Sequence, residues 1–202
     1  MQLAVKASQE QQEEFLSKSI PANISIIWVK ENIPEADAYF DLLVEEDGAA
    51  FSSVNNKPVF VNAVIETCKT LPANCIRINA WNGFLKRELI EVATNGTIKN
   101  EAEKILNNLQ WKFEWVIDEP GMIAARIIAM IINEAYFGLG DEISSKEEID
   151  IAMKLGTNYP YGPFEWSEKI GLKKIYDLLK KLSQTDSRYA VASKLKEAIH
   201  YL

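Results

Sequence analysis

The feature that most constrains this chain is a change of hydrophobic rhythm near residue 118. Before it, short runs rich in β-branched and apolar residues (3–7, 24–29, 39–44, 59–64, 75–80 and 113–117) are separated by polar stretches. Two of those stretches, SQEQQEEFLSK and KNEAEKILNNL, have helical composition. Such alternation predicts α/β layering around a small parallel sheet. After residue 118 the strand-like runs stop and every apolar pattern is helical. Residues 122–137 are apolar on nearly every face, which predicts a central helix surrounded by protein, with Asp118 and Pro120 marking its start. In SSKEEIDIAMKL two overlapping capping boxes, Ser144 with Glu147 and Ser145 with Glu148, open a further helix. GTNYPYGPFEW reads as a turn stiffened by Pro160 and Pro163, and IYDLLKKL and YAVASKLKEAIHYL as two more amphipathic helices. The expected division is an α/β domain over 1–118 and an all-α domain over 119–202.

Charge and composition exclude several classes of function. A net charge of −7 without a basic cluster disfavours a nucleic-acid partner. The longest apolar stretch carries Arg126, Asn133 and Glu134, spaced to share a helix face, so it reads as a buried helix with a polar network rather than a membrane span. The first residues lack the basic start of a signal peptide, and a cytoplasmic location is expected. Cys68 and Cys75 have no companion cysteine or nearby histidine, too few ligands for a metal site, and are expected to be plain thiols.

Three blocks then carry a resemblance. DEPGMIAARIIAMIINEA resembles the D-x-P-G-F-x-x-N-R helix and downstream N-E-A of the 3-hydroxyacyl-CoA dehydrogenases. SKEEIDIAMKLGTNYPYGPFEW resembles that family's I-D-x-A-M-x-x-G segment followed by Y-P-x-G-P-F. IRINAWNGFLKRELIEVA resembles the block that reads G-x-H-F-x-N-P and runs on to L-V-E-V in active enzymes. The resemblance implies a reduced Rossmann-like α/β domain followed by the family's all-α C-terminal domain, which in the family dimerises. It puts Glu91 on the glutamate of the catalytic dyad, Asn79 on the catalytic histidine and Asn82 on the asparagine of the N-P pair. Ala125 falls on the substrate-contacting asparagine, and Asn62 is the polar candidate for the serine near the substrate.

By that carry-over the usual chemistry is lost. An amide at position 79 hydrogen-bonds but cannot take up a proton, and the only histidine, His200, lies outside every matching block. The family's NAD sits on a G-x-G-x-x-G turn after the first strand. Here the first glycine is Gly48, and Glu10, Glu13 and Glu14 occupy the first helix start, where they satisfy its dipole and repel a diphosphate. Glu31 follows the second strand where a ribose-binding carboxylate could stand. No cofactor is therefore expected. The readings left open are a non-catalytic family member acting as a dimerising or acyl-CoA-binding companion in acyl-CoA metabolism, an active NAD-dependent dehydrogenase, and an interaction protein unrelated to acyl-CoA. The partners expected are a second copy of the chain through 119–202 and acyl-CoA, with neither nucleic acid nor membrane.

Overall fold

The computed structural model describes residues 1–96 and 98–201. It separates into two compact units, Met1–Met122 and Ile123–Leu202, each of which builds its own core. In the first, β1 (Gln2–Lys6) leads into α1 (Gln9–Ser17), then β2 (Ser25–Trp28), β3 (Ala38–Asp41) and the single turn α2 (Val44–Asp47). β4 (Val59–Val61), β5 (Cys75–Ile78), β6 (Leu89–Ala93), α3 (Lys99–Asn108) and β7 (Lys112–Trp115) follow. The strands form one seven-stranded sheet in the order β2-β1-β3-β4-β5-β6-β7. All pairs are parallel except β5 with β6. The expected sheet was small and parallel; the real one is larger and mixed, because β6 returns beside β5 through a short connection instead of a crossover helix.

Strand pleat sorts side chains to two faces. Leu3, Val5, Phe40, Phe60, Ile76 and Ile78 point to the face covered by Phe15 of α1 and by Ala102, Ile105 and Leu106 of α3. Ala4, Tyr39, Val59, Val61 and Cys75 point to the other, where Phe51 closes over them. Phe40 and Phe60 stack at 4.5 Å between centroids and Phe15 meets Phe40 edge-on at 5.3 Å, aromatic geometries that favour a single arrangement of the core.

The second unit is all helix: α4 (Ala124–Gly140), α5 (Lys146–Thr157), α6 (Pro163–Ile170), α7 (Leu172–Ser183) and α8 (Ser193–His200). The long apolar helix begins at Ala124, not near Pro120, because Asp118 is held elsewhere, by Arg77 and the Cys68 N–H. Nor is it covered all round: Ile123, just before α4, and Ile127 and Phe137 on it share a face that stays exposed. Of the expected polar network only Asn133 is buried, donating to the Ala190 carbonyl at 2.9 Å and accepting the Ala192 N–H at 2.9 Å. Arg126 lies over the Tyr189 ring, and Glu134 is exposed. Ser145 and Glu148 form the capping box of α5. The segment read as a proline-rich turn contains α6, with Pro163 in its first turn. The terminal helix is shorter than expected, and its last expected residue, Leu202, lies outside the described residues. No helix among the described residues is long and apolar enough to cross a membrane.

Candidate functional site

Sheet order locates the crevice. β1 connects outward to β2, whereas β3 returns to the opposite side of β1, so the carboxyl ends of β1 and β3 mark the switch point where open α/β sheets bind ligands. Polar side chains crowd this edge. Gln11 of α1 is buried and donates to the carbonyls of Leu42 (2.7 Å) and Ala80 (3.3 Å), spanning the ends of β3 and β5. Asn62, just past β4, is buried too; it donates to the Leu42 carbonyl at 3.2 Å and accepts the Ala80 N–H at 3.0 Å. Asn82 donates to the Glu10 carboxylate at 2.7 Å, and the Glu14 carboxylate accepts the Gly83 N–H at 2.5 Å. The two carboxylates thus tie α1 to the connection that follows β5.

Asn79 follows β5 directly. The antiparallel register pairs Arg77 with Ala93 and Ile78 with Val92, and carried one residue further it sets Asn79 opposite Glu91. Asn79 is buried, its Oδ1 accepts the Trp81 N–H at 3.4 Å, and its Nδ2 has no hydrogen-bond partner among the described residues. Asn62, Asn79, Asn82 and Glu91 therefore belong to one unit and lie near the carboxyl ends of β4 and β5. Ala125 lies in the other unit, fully buried on α4. His200 is exposed at the end of α8, and Glu31 is exposed after β2.

Two structural features escaped the sequence reading. Arg77 is fully buried: Nε donates to the Ala63 carbonyl at 2.7 Å, NH1 to the Asp118 carboxylate at 2.5 Å, and NH2 to the carbonyls of Val64 and Glu119. Glu45 of α2 accepts three N–H groups, from Val64, Ile65 and the Trp81 indole. Both gather partners far apart in sequence, and no local motif signals them. The carboxyl of Asp41, buried at the end of β3, is pushed up by burial, against which the Ala50 N–H and Lys6 act only in part. Burial also pushes the Cys68 thiol up to about 12 and the Cys75 thiol to about 11, so both remain protonated and unreactive. No cluster of metal-ligating side chains occurs among the described residues.

At the end of β1 the residues do not form a glycine cradle. Ser8 caps α1, its Oγ accepting the Gln11 N–H while Gln11 Oε1 accepts the Ser8 N–H, so the chain's own side chains meet the helix start where a diphosphate would otherwise sit.

Residues 121–200 match the family model described as 3-hydroxyacyl-CoA dehydrogenase, C-terminal domain. The 3-hydroxyadipyl-CoA dehydrogenase of Escherichia coli strain K12 is 43% identical over 84 residues, 41% of this chain and 18% of that protein. The 3-hydroxybutyryl-CoA dehydrogenase of Clostridioides difficile is 31% identical over 139 residues, 65% of this chain and 47% of that protein. The chain therefore spans less than half the length of either. Among solved structures, (S)-3-hydroxybutyryl-CoA dehydrogenase from Ralstonia eutropha shares the fold, with a TM-score of 0.71 at 17% identity over 99% of this chain and 93% of that one. These relatives correct one expectation. The relatives are named as dehydrogenases, whose chemistry needs a hydride acceptor such as a dinucleotide, so the expectation that no cofactor is bound does not stand. The absence of a dinucleotide does not follow from the missing glycines, which supply only one way of holding a diphosphate. The family model thus assigns residues 121–200 to the C-terminal domain of the 3-hydroxyacyl-CoA dehydrogenases, and the chain as a whole shares the fold of such an enzyme.

Proposed function

We propose that this chain is a family member in which the proton-transfer step has been lost, acting in the cytoplasm as an acyl-CoA-binding and dimerising companion in fatty-acid or 3-hydroxybutyryl-CoA metabolism. One observation carries this: Asn79 directly follows Ile78, whose partner Val92 neighbours Glu91 on β6. Oxidising a 3-hydroxyl needs a base that takes its proton. A carboxamide donates and accepts hydrogen bonds without titrating, so Asn79 can grip an acyl carbonyl oxygen through Nδ2 but cannot carry the proton away. Ala125 supports the same reading, as a methyl group where the resemblance implies an asparagine that contacts the substrate.

The test is a steady-state assay of acetoacetyl-CoA reduction by NADH, run beside a calorimetric titration with acetoacetyl-CoA. The expected result is binding with turnover at least about a hundredfold below an intact relative, since general acid–base catalysis contributes that much or more. Asn79→His should raise the rate by at least about tenfold, a part of that contribution, because it restores a titratable group beside Glu91. Wild-type turnover of about one per second or faster, inside the usual enzyme range, would overturn the proposal and point to Glu91 as the base.

A further inference from the structure

The three donors around Glu45 form a receptor as well as a tie. Val64 and Ile65 present consecutive backbone N–H groups to Glu45 Oε1 at 2.7 and 2.8 Å, and the Trp81 indole N–H meets Oε2 at 2.7 Å. Consecutive backbone N–H groups converging on one point are an anion nest, and a third donor to the second oxygen fits the planar, two-oxygen shape of a carboxylate.

The two sides of this contact are built differently. On the receptor side, Arg77 holds the Ala63 and Val64 carbonyls at 2.7 and 3.1 Å, and the Gly121 N–H adds a second bond to the Val64 carbonyl at 2.7 Å. Trp81 is fully buried. The donors are thus fixed from behind by groups that do not involve Glu45. On the plug side, α2 is four residues long with none of them fully buried; Val44 packs partly on the core that includes Phe51, and the Ala50 N–H beyond it donates to the Asp41 carboxylate at 2.7 Å. The helix ends at Gly48, whose φ of +80° suits glycine, and Asp47 adds only a surface ion pair to Lys6 at 2.9 Å. A receptor fixed from behind, facing a short plug that is nowhere fully buried, is the arrangement in which the plug can leave while the receptor stays.

The geometry points to a carboxylate-binding site formed by Val64, Ile65 and Trp81, which Glu45 occupies as an internal ligand and from which α2 swings when an external carboxylate competes. The assignment goes beyond the acyl-CoA reading and stands or falls separately from it, because its probe is acetate alone.

The measurement is the indole N–H resonance of Trp81 in a two-dimensional 15N–1H spectrum, identified among the five tryptophans by its loss in Trp81→Phe. In Glu45→Ala the resonance should shift saturably with sodium acetate and not with sodium chloride at equal ionic strength. In the wild-type protein half-saturation should need roughly tenfold more acetate or beyond, since the closed plug lowers apparent affinity by the fraction of open molecules. A folded Glu45→Ala protein whose Trp81 signal ignores acetate, or follows chloride equally, would show that the contact is only structural. Should Glu45→Ala fail to fold, Glu45→Gln replaces it. Its neutral amide turns an NH2 toward one of the donors, so half-saturation should fall well below the wild-type value, and an unchanged value overturns the assignment.

Discussion

Arg77 shows how much one residue can decide. A guanidinium without solvent access is tolerated only when every face finds an acceptor. Here three carbonyls and the Asp118 carboxylate supply them, drawing together β5, the segment after β4 and the end of the first unit. Arg77→Met would take from all four acceptors the donor they share, leaving Asp118 only the Cys68 N–H, and breaking a buried pair from one side costs about 3–5 kcal/mol. A urea-unfolding midpoint lowered to match, with the slope unchanged, is the expected outcome. Burial acts to raise the Asp118 carboxyl, but the Cys68 N–H and Arg77 outweigh it and hold the group below the ordinary carboxylate range. A depressed pKa contributes stability that is fully present above the unfolded value, about 3.9 for Asp, and is lost as pH falls through the lower folded value. Stability should therefore drop more steeply below about pH 4 in the wild-type protein than in Asp118→Asn. None of this was legible beforehand. Arg77 sits in an apolar run, and Asp118, 41 residues away, looks locally like a helix start.

At the scale of elements, the sequence was most legible where the signal is local. Ser145 and Glu148 lie three residues apart and cap α5 as their spacing predicts. α6 has a local cap, in which Glu165 accepts the Gly162 N–H, but the partner of its own first N–H groups is distant. Asp150, on α5, turns its carboxylate to the N–H groups of Phe164 (2.8 Å) and Glu165 (3.2 Å), acting as the cap of a helix that begins at Pro163. This arrangement explains Gly162: a Cβ built there would overlap the Asp150 carboxyl group. Asp150→Ala should lower stability by about 1–2 kcal/mol, the usual worth of such a cap. Gly162→Ala should cost a similar amount or more by pushing the same carboxylate away. Thermal melts of both variants and of the double mutant check this, with the double expected to fall short of the sum because both remove one interaction. β6 was not among the expected strands, since Leu89–Ala93 follows a stretch of charges without an alternating pattern.

Across the whole molecule, the change of rhythm at residue 118 separated an α/β part from a helical part, and the alternating runs marked six of the seven strands. The candidate residues of the first unit came from resemblance, and what periodicity could not supply was the register that pairs Ile78, next to Asn79, with Val92, next to Glu91. The exposed face of Ile123, Ile127 and Phe137, together with the exposed Ile151 and Leu155 of α5, motivates the expectation of a homodimer through the helical unit. Light scattering at micromolar concentration should give twice the chain mass, and Ile127→Glu should shift it toward the monomer. A wild-type monomer would count against the dimer. The connection from Asn79 to Glu88 has a different consequence. It contains no helix or strand, yet Trp81 and Leu85 are fully buried in it, Phe84 nearly so, and Trp81, Asn82 and Gly83 each bond to a carboxylate of α1 or α2. Loops are ordinarily where sequences drift and lengths vary. This one is confined like a strand, so lineages of this protein should vary freely at the exposed bend around Lys30 to Ile33 while keeping the length and apolar residues of a segment that looks, on paper, like the easiest to change.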